Sequence, residues 1–335
     1  MSSVSDANLI TLLKNLTTQL NRYFGIPILV FGVVGHILNV AVLSQRQLRS
    51  NSCAWLFLVS SIAYFFSIIT AIIPRFLITW NVDISATNQI LCKLRVFVFF
   101  TSITVGFWLI MLATVDRWLS SCTDINLRQK STPKNAQRGA VLIIIISAII
   151  NTQQLVCFEA NLTNTPLKCY TKSVICGIVS DMFFAVVSIL TPLALILIFG
   201  LKIISNVRQA QSHLQPIDTA TDTHARQHAS KGGTGNASQQ KKTDRQLLVM
   251  LLFQVLFMFL FSFPFALSKI YTTVTRNAIK SPLQTTIENF LFNIFLLLMT
   301  IACGMQFYIY TLSGGNVFRK ALFSLLKMLG RKMIC

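Results

Sequence analysis

The side chains best suited to chemistry lie at the two ends of one uncharged stretch. Asp116 and Arg117 are adjacent at its far end, and Cys92 precedes its near end. A carboxylate beside a guanidinium forms an ion pair that can exchange partners, and a thiol can form a disulfide. Neither arrangement is a nucleophile with its general base, so we expect no enzyme activity, no cofactor and no metal site.

The stretch between these ends has the length of a membrane span. Residues 96–115 carry no charge, and a helix needs about 20 apolar residues to cross a bilayer. At 1.5 Å per residue, Cys92 and Arg117 lie about 38 Å apart, at opposite membrane faces. An Asp-Arg pair at the edge of a span is costly unless partners orient it, which favours a functional role. A positively charged anchor is the alternative.

Composition extends this prediction to the whole chain. Of its 335 residues, 53% are hydrophobic and only 12% are charged, whereas soluble domains carry about twice that charge. The sequence therefore predicts an all-α membrane protein, a seven-transmembrane helix bundle with a short amphipathic surface helix after a corner near Gly314. The seven apolar blocks are 23–45, 52–74, 96–115, 139–158, 182–201, 246–268 and 289–318.

Charge distribution predicts the orientation. With the N-terminus outside, 19 of the 29 Lys and Arg residues fall on the cytosolic side, which follows the positive-inside rule. The basic residues lie in separate loops, which argues against a nucleic-acid partner. Sequons at Asn15 and Asn161 then lie outside as glycosylation sites. We expect a multi-pass plasma-membrane protein with an extracellular N-terminus and a cytosolic C-terminus.

This orientation divides the chain into three parts. Residues 1–22 are expected to form a short, mobile extracellular segment, and 23–313 the transmembrane domain. Within that domain, residues 209–243 are polar and predict a disordered cytosolic loop. Residues 314–335 are expected to form the amphipathic helix and the cytosolic tail.

Amides and prolines within the spans predict local features. Asn39 and Gln306 place polar groups at membrane depth, so we expect both to face the bundle interior and to pack against polar partners. Pro192 lacks an N–H and should distort its helix, which a membrane protein tolerates where neighbouring groups bond to the freed carbonyl.

Over nearly its whole length the chain resembles a rhodopsin-like (class A) G-protein-coupled receptor. Asp116-Arg117-Trp118 is similar to the Asp-Arg-Tyr motif of that family, and Cys92 lies where the family keeps its outer disulfide cysteine. The other similar positions are Asn39 in the first span, Pro74, Pro192 and Pro264 in the second, fifth and sixth, and Phe318-Arg319 at the start of the eighth helix. The resemblance implies a heterotrimeric G protein and an extracellular ligand as partners, with the bilayer as solvent.

Several family positions differ. Phe65 stands where the family has an aspartate in its second helix. The sixth-helix motif Cys-Trp-x-Pro of the family reads Phe261-Ser262-Phe263-Pro264, so the switch tryptophan is missing. The seventh-helix motif Asn-Pro-x-x-Tyr reads Gln306-Phe307-Tyr308-Ile309-Tyr310, which keeps the amide and the tyrosine but has no proline. We therefore expect a divergent member.

The resemblance also assigns roles at the two membrane faces. Arg117 is expected to bond Asp116 at the wet edge of the membrane and to reach Asp244 across the bundle at rest, with Tyr310 as a further switch residue. Cys92 is expected to bond Cys169, and Cys176 is the competing partner because sequence does not fix the pairing.

The resemblance bears on the ligand as well. Phe99 stands where amine receptors have an aspartate, which argues against a biogenic amine. Charged residues near the outer ends of the spans predict a peptide ligand, although Arg75 could instead form a structural bridge to an acid. The tentative ligand-binding residues are Arg75, Arg95, Phe99, Asp181 and Glu288. A multi-span transporter of a small solute is the alternative function.

Overall fold

The chain forms a bundle of apolar helices. The computed structural model describes residues 2–80, 82–162, 168–212, 234–276 and 278–334. The helices are α1 (Ser2–Leu43), α2 (Arg46–Arg49), α3 (Ser52–Thr79), α4 (Gln89–Ser121), α5 (Ile125–Gln129), α6 (Pro133–Asn151), α7 (Gln153–Cys157), α8 (Val174–Phe183), α9 (Thr191–Ser212), α10 (Thr234–Val274), α11 (Pro282–Gly304), α12 (Gln306–Ser313) and α13 (Gly315–Ile334).

Seven helical spans in the described part of the chain are long and apolar enough to cross a membrane. In chain order they are formed by α1, α3, α4, α6 with α7, α8 with α9, α10 and α11, and we call them the first to the seventh span. Helix α12 continues α11 beyond Gly304 and is counted here with the seventh span. This confirms the predicted seven-transmembrane bundle. Two short strands, β1 (Phe158–Glu159) and β2 (Tyr170–Thr171), pair antiparallel in the connection between the fourth and fifth spans.

Polar residues fix where the spans begin. The Asn51 side chain accepts hydrogen bonds from the backbone N–H groups of Cys53 and Ala54 at the start of the second span. Asn88 caps the third span in the same way, because the first N–H groups of a helix have no partner within it. Thr132 and Ser281 cap the fourth and seventh spans, and each is followed by a proline, which needs no N–H partner.

The third span is the central helix of the bundle. In the most apolar 18-residue stretch of this span, 61% of the stretch is buried inside the bundle, whereas the corresponding share for the fourth span is 22%. It packs against the second, fourth and fifth spans. Its two termini define the two ends of the molecule, which we call the Cys92 end and the Arg117 end.

Pro192 has the predicted effect on the fifth span. A π-helical segment, Phe184–Leu190, joins α8 to α9 just before this proline. The Thr191 hydroxyl donates to the Val186 carbonyl at 2.8 Å, and the Trp108 indole N–H of the third span donates to the Val187 carbonyl at 3.1 Å. The distorted turn is therefore bonded within the bundle.

Helices extend further than the sequence predicted. We expected residues 1–22 to be mobile, but α1 is helical from Ser2. No glycine or proline precedes Gly25, so nothing interrupts the helix on its N-terminal side. Helix α9 continues to Ser212 and α10 begins at Thr234, so both ends of the loop predicted at 209–243 are helical, while 213–233 lie outside the described residues. The corner at Gly314 and the helix beyond it are present.

A close contact between the second and third spans explains one glycine. A Cβ atom at Gly106 would overlap the ring of Tyr64 on the second span, and that ring is fully buried. Gly200 on the fifth span has no atom within 4 Å of the corresponding position.

Gly106→Ala is therefore expected to destabilise the bundle by about 1–3 kcal/mol, because the added methyl group overpacks the contact between the second and third spans. Gly200→Ala adds the same group in open space and should leave stability unchanged or raise it slightly. Thermal unfolding of the two purified variants in detergent measures the difference. Equal melting temperatures would show that this contact does not limit packing.

Candidate functional site

The Asp116–Arg117 pair is buried inside the Arg117 end. We had expected it at the wet edge of the membrane, and that expectation is wrong. Asp116 and Arg117 are 6% and 5% exposed. The Arg117 Nη2 atom donates to Asp116 Oδ2 at 3.0 Å and to the Asn51 side-chain oxygen at 3.2 Å. The prediction placed the pair at the end of the apolar run. In the structure, the start of the second span and the loop between the third and fourth spans pack over it.

Asp116 joins three segments of the chain. The Ser52 hydroxyl donates to Asp116 Oδ2, and the Ser131 hydroxyl donates to Oδ1, both at 2.8 Å. Further hydrogen bonds stabilise a buried ion pair, and these serines bond both oxygens of the carboxylate. The carboxylate thus holds the second span, the third span and the loop before the fourth in one arrangement.

The two other predicted switch residues have different outcomes. The side chain of Asp244 lies outside the described residues. Tyr310 is fully buried, and its ring stacks on Phe57 of the second span at a centroid distance of 4.9 Å. Its ring also lies 6.1 Å from Phe318 of α13. Tyr310 therefore connects the seventh span to the second span and to the surface helix.

A second polar cluster lies deeper in the bundle. Asn39 Nδ2 donates to the Ser61 hydroxyl oxygen at 2.9 Å, and Ser61 Oγ lies 3.1 Å from Gln306 Oε1. All three side chains are fully buried. Ser61, on the second span, is thus the partner that both predicted amides share, and it joins the first, second and seventh spans.

Two disulfides lie at the Cys92 end. Cys92 bonds Cys169, with 5.8 Å between their Cα atoms. Cys176, the competing partner, bonds Cys157 instead, with 5.3 Å between their Cα atoms. The first disulfide ties the β1–β2 connection to the third span, and the second closes the connection at its base.

Ion pairs and hydrogen bonds surround the same end. Asp181 on the fifth span accepts from Lys269 on the sixth at 2.6 Å. Glu288 accepts from Lys280 at 2.5 Å, from Tyr271 and from Gln284. The predicted ligand-binding acids therefore already have basic partners within the chain.

The predicted ligand-binding cations are also engaged. Arg95 pairs with Asp83 at 3.6 Å and donates to Ser85 at 2.9 Å. Arg75 donates to the Asn293 side-chain oxygen of the seventh span at 2.9 Å, so its bridge runs to an amide and not to an acid. Phe99, which is half-buried, contacts Phe100 and Phe184.

Both sequon asparagines are exposed. Asn15 lies on α1. Asn161 has a φ of 58°, and its Nδ2 atom donates to the Thr87 carbonyl at 2.8 Å. A side-chain amide tolerates this left-handed conformation better than most residues do.

The geometry favours partner exchange over covalent chemistry. Among the described residues, no three His, Cys, Asp or Glu side chains form a group that could hold a metal ion. The buried clusters consist of hydrogen bonds and ion pairs that link different spans. Several of their members, Asn51, Ser52, Ser61 and Ser131, were missed from the sequence, where the only signal was a polar residue at a span edge or within an apolar run.

Comparisons with known proteins agree with this architecture. The model of the seven-transmembrane receptors of the rhodopsin family matches residues 36–310. An FMRFamide peptide receptor of Caenorhabditis elegans is 28% identical over 130 residues, which are 37% of this chain and 29% of that receptor. The chain thus matches less than a third of the length of this relative. Neither match is to a transporter.

The shared bonds of Ser61 predict a measurable effect. Ser61→Ala should lower stability by about 1–2 kcal/mol, because two buried amides lose their common partner. Thermal unfolding in detergent measures this loss.

The neighbouring Ser60 is a matched control. It is equally buried and, like Ser61, bonds the Phe57 carbonyl within its own helix. Ser60→Ala should therefore cost about 0.5 kcal/mol or less. Equal losses for the two variants would contradict a special role of Ser61.

Proposed function

We propose that this chain, which belongs to the rhodopsin family of seven-transmembrane receptors, binds an extracellular peptide and activates a heterotrimeric G protein. The observation that carries the proposal is the buried Asp116–Arg117 pair at the end of the central span, bonded to the second span and to the following loop. Such a cluster has two arrangements, with its partners bonded or exchanged, and a receptor needs two states of this kind.

In the proposed orientation the Cys92 end is extracellular and the Arg117 end is cytosolic. The positive-inside distribution supports it. The two disulfides at the Cys92 end support it as well, because disulfides persist in oxidising compartments. Residues 1–22 are then extracellular, with Asn15 and Asn161 as glycosylation sites, 23–313 form the transmembrane domain, and 314–335 lie in the cytosol. The protein acts in the plasma membrane.

At rest, Arg117 is held by Asp116 and Asn51. We further propose that Asp244, at the cytosolic start of the sixth span, is a partner of Arg117 in this state. Outward movement of the sixth span separates the two residues and opens a cavity for a helix of the G protein. Tyr310, stacked between the second span and α13, changes its packing in the same step.

A peptide with basic and aromatic residues fits the extracellular end. The relative from C. elegans is named for the peptide FMRFamide, which contains one arginine between aromatic and apolar side chains. Asp181 can exchange its bond to Lys269 for a bond to such an arginine, because one cation replaces another on the carboxylate and Lys269 keeps its contact with the Phe292 ring at 4.9 Å. Phe99 and its aromatic neighbours offer packing for the phenylalanines.

This exchange couples the ligand to the sixth span. Lys269 belongs to the sixth span, and its bond to Asp181 fastens that span to the fifth at the extracellular end. Once a ligand arginine takes Asp181, the sixth span is released. Arg75 and Arg95 remain bonded to the chain and shape the rim, while Glu288 offers a second acid.

Peptides ending in Arg-Phe-amide should cause saturable G-protein dissociation in cells that express the protein. Asp181→Asn should lower peptide potency at least about tenfold, because a charged partner of the ligand is lost. Asp244→Ala should raise dissociation in the absence of peptide, because the proposed resting-state partner of Arg117 is lost.

Glu159→Gln is the control, since it neutralises an exposed acid of β1 at the extracellular end and leaves the ion pairs of the rim intact. The potency of the peptide on this variant should stay near that on the wild type. A wild-type protein that responds to none of these peptides would contradict the ligand class, and an unchanged basal level in Asp244→Ala would contradict the proposed switch.

A further inference from the structure

One face of the fourth span has no protein partner among the described residues. The side chains of Ala136, Ala140, Ser147 and Asn151 are buried against the bundle. Because α-helices repeat every 3.6 residues, positions 134, 138, 141, 142 and 145 lie on the opposite side. This side carries a shallow groove of about 460 Å³ that is open to the surroundings and lined by Lys134, Gln137, Arg138, Val141, Leu142 and Ile145 of this one helix.

The groove has a charged end and an apolar end. Lys134 and Arg138 stand four residues apart, so their side chains neighbour each other on one helix face. Both are exposed, and neither makes a hydrogen bond or an ion pair with any residue that the structure describes. The apolar side chains Val141, Leu142 and Ile145 are 54%, 58% and 50% exposed.

The spacing along the helix matches an amphiphile that lies parallel to it. Lys134 follows Pro133, the first residue of the span, so the two cations lie at the headgroup level of the Arg117 end. Ile145 lies about 10 Å further along the axis than Arg138, within the hydrocarbon layer. A ligand of this groove therefore has an anionic head and an apolar chain.

We propose that this groove is a binding site for an anionic phospholipid of the cytosolic leaflet. The proposal rests on the orientation given above, which exposes the Arg117 end to that leaflet. Cytosolic leaflets carry phosphatidylserine and phosphoinositides, and these attract membrane-proximal Lys and Arg side chains. The phosphate and the headgroup anion bond Lys134 and Arg138, and an acyl chain packs on Val141, Leu142 and Ile145.

Such a lipid would also act on the receptor switch. Lys134 and Arg138 follow the loop that contains Ser131, whose hydroxyl bonds Asp116. A lipid held at the start of the fourth span fixes this loop and favours the arrangement in which Ser131 and Asp116 remain bonded. The site thus links leaflet composition to the resting state.

The test measures lipid retention and needs no signal from a G protein, so its outcome is separate from that of the peptide experiment. The purified full chain is placed in phosphatidylcholine nanodiscs with and without phosphatidylserine, and retained lipids are counted by native mass spectrometry. The wild type should retain phosphatidylserine. In Lys134→Gln with Arg138→Gln, each lost charge should weaken retention about fivefold.

Lys320→Gln with Lys327→Gln is the matched control, because it removes two exposed charges from α13. Retention should fall less than twofold in this variant. Equal losses in both variants would overturn the proposal, because they would show general attraction to the charged surface. Glycerophosphoserine, the soluble headgroup, should not displace the lipid, and displacement by it would contradict the role of the apolar end.

A labelling experiment on the wild type covers the case in which the variant misfolds. Phosphatidylserine with a photoreactive group in its acyl chain should label the peptide that contains Val141, Leu142 and Ile145. Labelling confined to other spans or to α13 would overturn the assignment of the groove.

Discussion

Inside the hydrocarbon layer a polar group finds no water, so a buried amide, hydroxyl or charge is stabilised by a partner on a neighbouring span. Two contacts between spans show this constraint. Asn39, Ser61 and Gln306 bring together the first, second and seventh spans. Asp116, with its serine partners, brings together the second and third spans and the following loop. The arrangement of the helices is thus fixed by a few hydrogen-bonded crossings within a large apolar contact area.

The sequence was sufficient for the features that depend on length and local chemistry. Uncharged runs of span length predicted seven helices, Pro192 predicted the distortion of the fifth span, and Gly314 predicted the corner before the surface helix. The family resemblance supplied the expectation of the Cys92–Cys169 bond, which the structure contains. Features that depend on which helix faces meet were not predictable. Ser60 and Ser61 are neighbours of the same residue type, but only the Ser61 hydroxyl lies between Asn39 of the first span and Gln306 of the seventh. This position follows from the packing of the three spans.

Other differences have the same origin. Asp116 and Arg117 are buried because segments distant in sequence pack over them. A hydropathy pattern describes only neighbours in sequence, so it does not predict this burial. The Cys157–Cys176 disulfide required the ends of the fourth and fifth spans to be neighbours. At the Cys92 end, the proposed exchange of Lys269 on Asp181 acts on the sixth span, while the Asp116 cluster bonds the second and third spans at the Arg117 end. The third span connects the two ends, and the proposed signal is a shift between two packed arrangements.

The central claim is that the Asp116 cluster holds the Arg117 end closed. The direct test is a distance measurement by pulsed electron paramagnetic resonance between spin labels at Gln129, the last residue of α5, and Gln246, in the sixth span. Cys122 and Cys335 are replaced by serine so that neither takes up a label. Without ligand, Asp116→Asn should shift the distance distribution to longer values than in the otherwise identical chain that keeps Asp116. Identical distributions in the two chains would contradict the account.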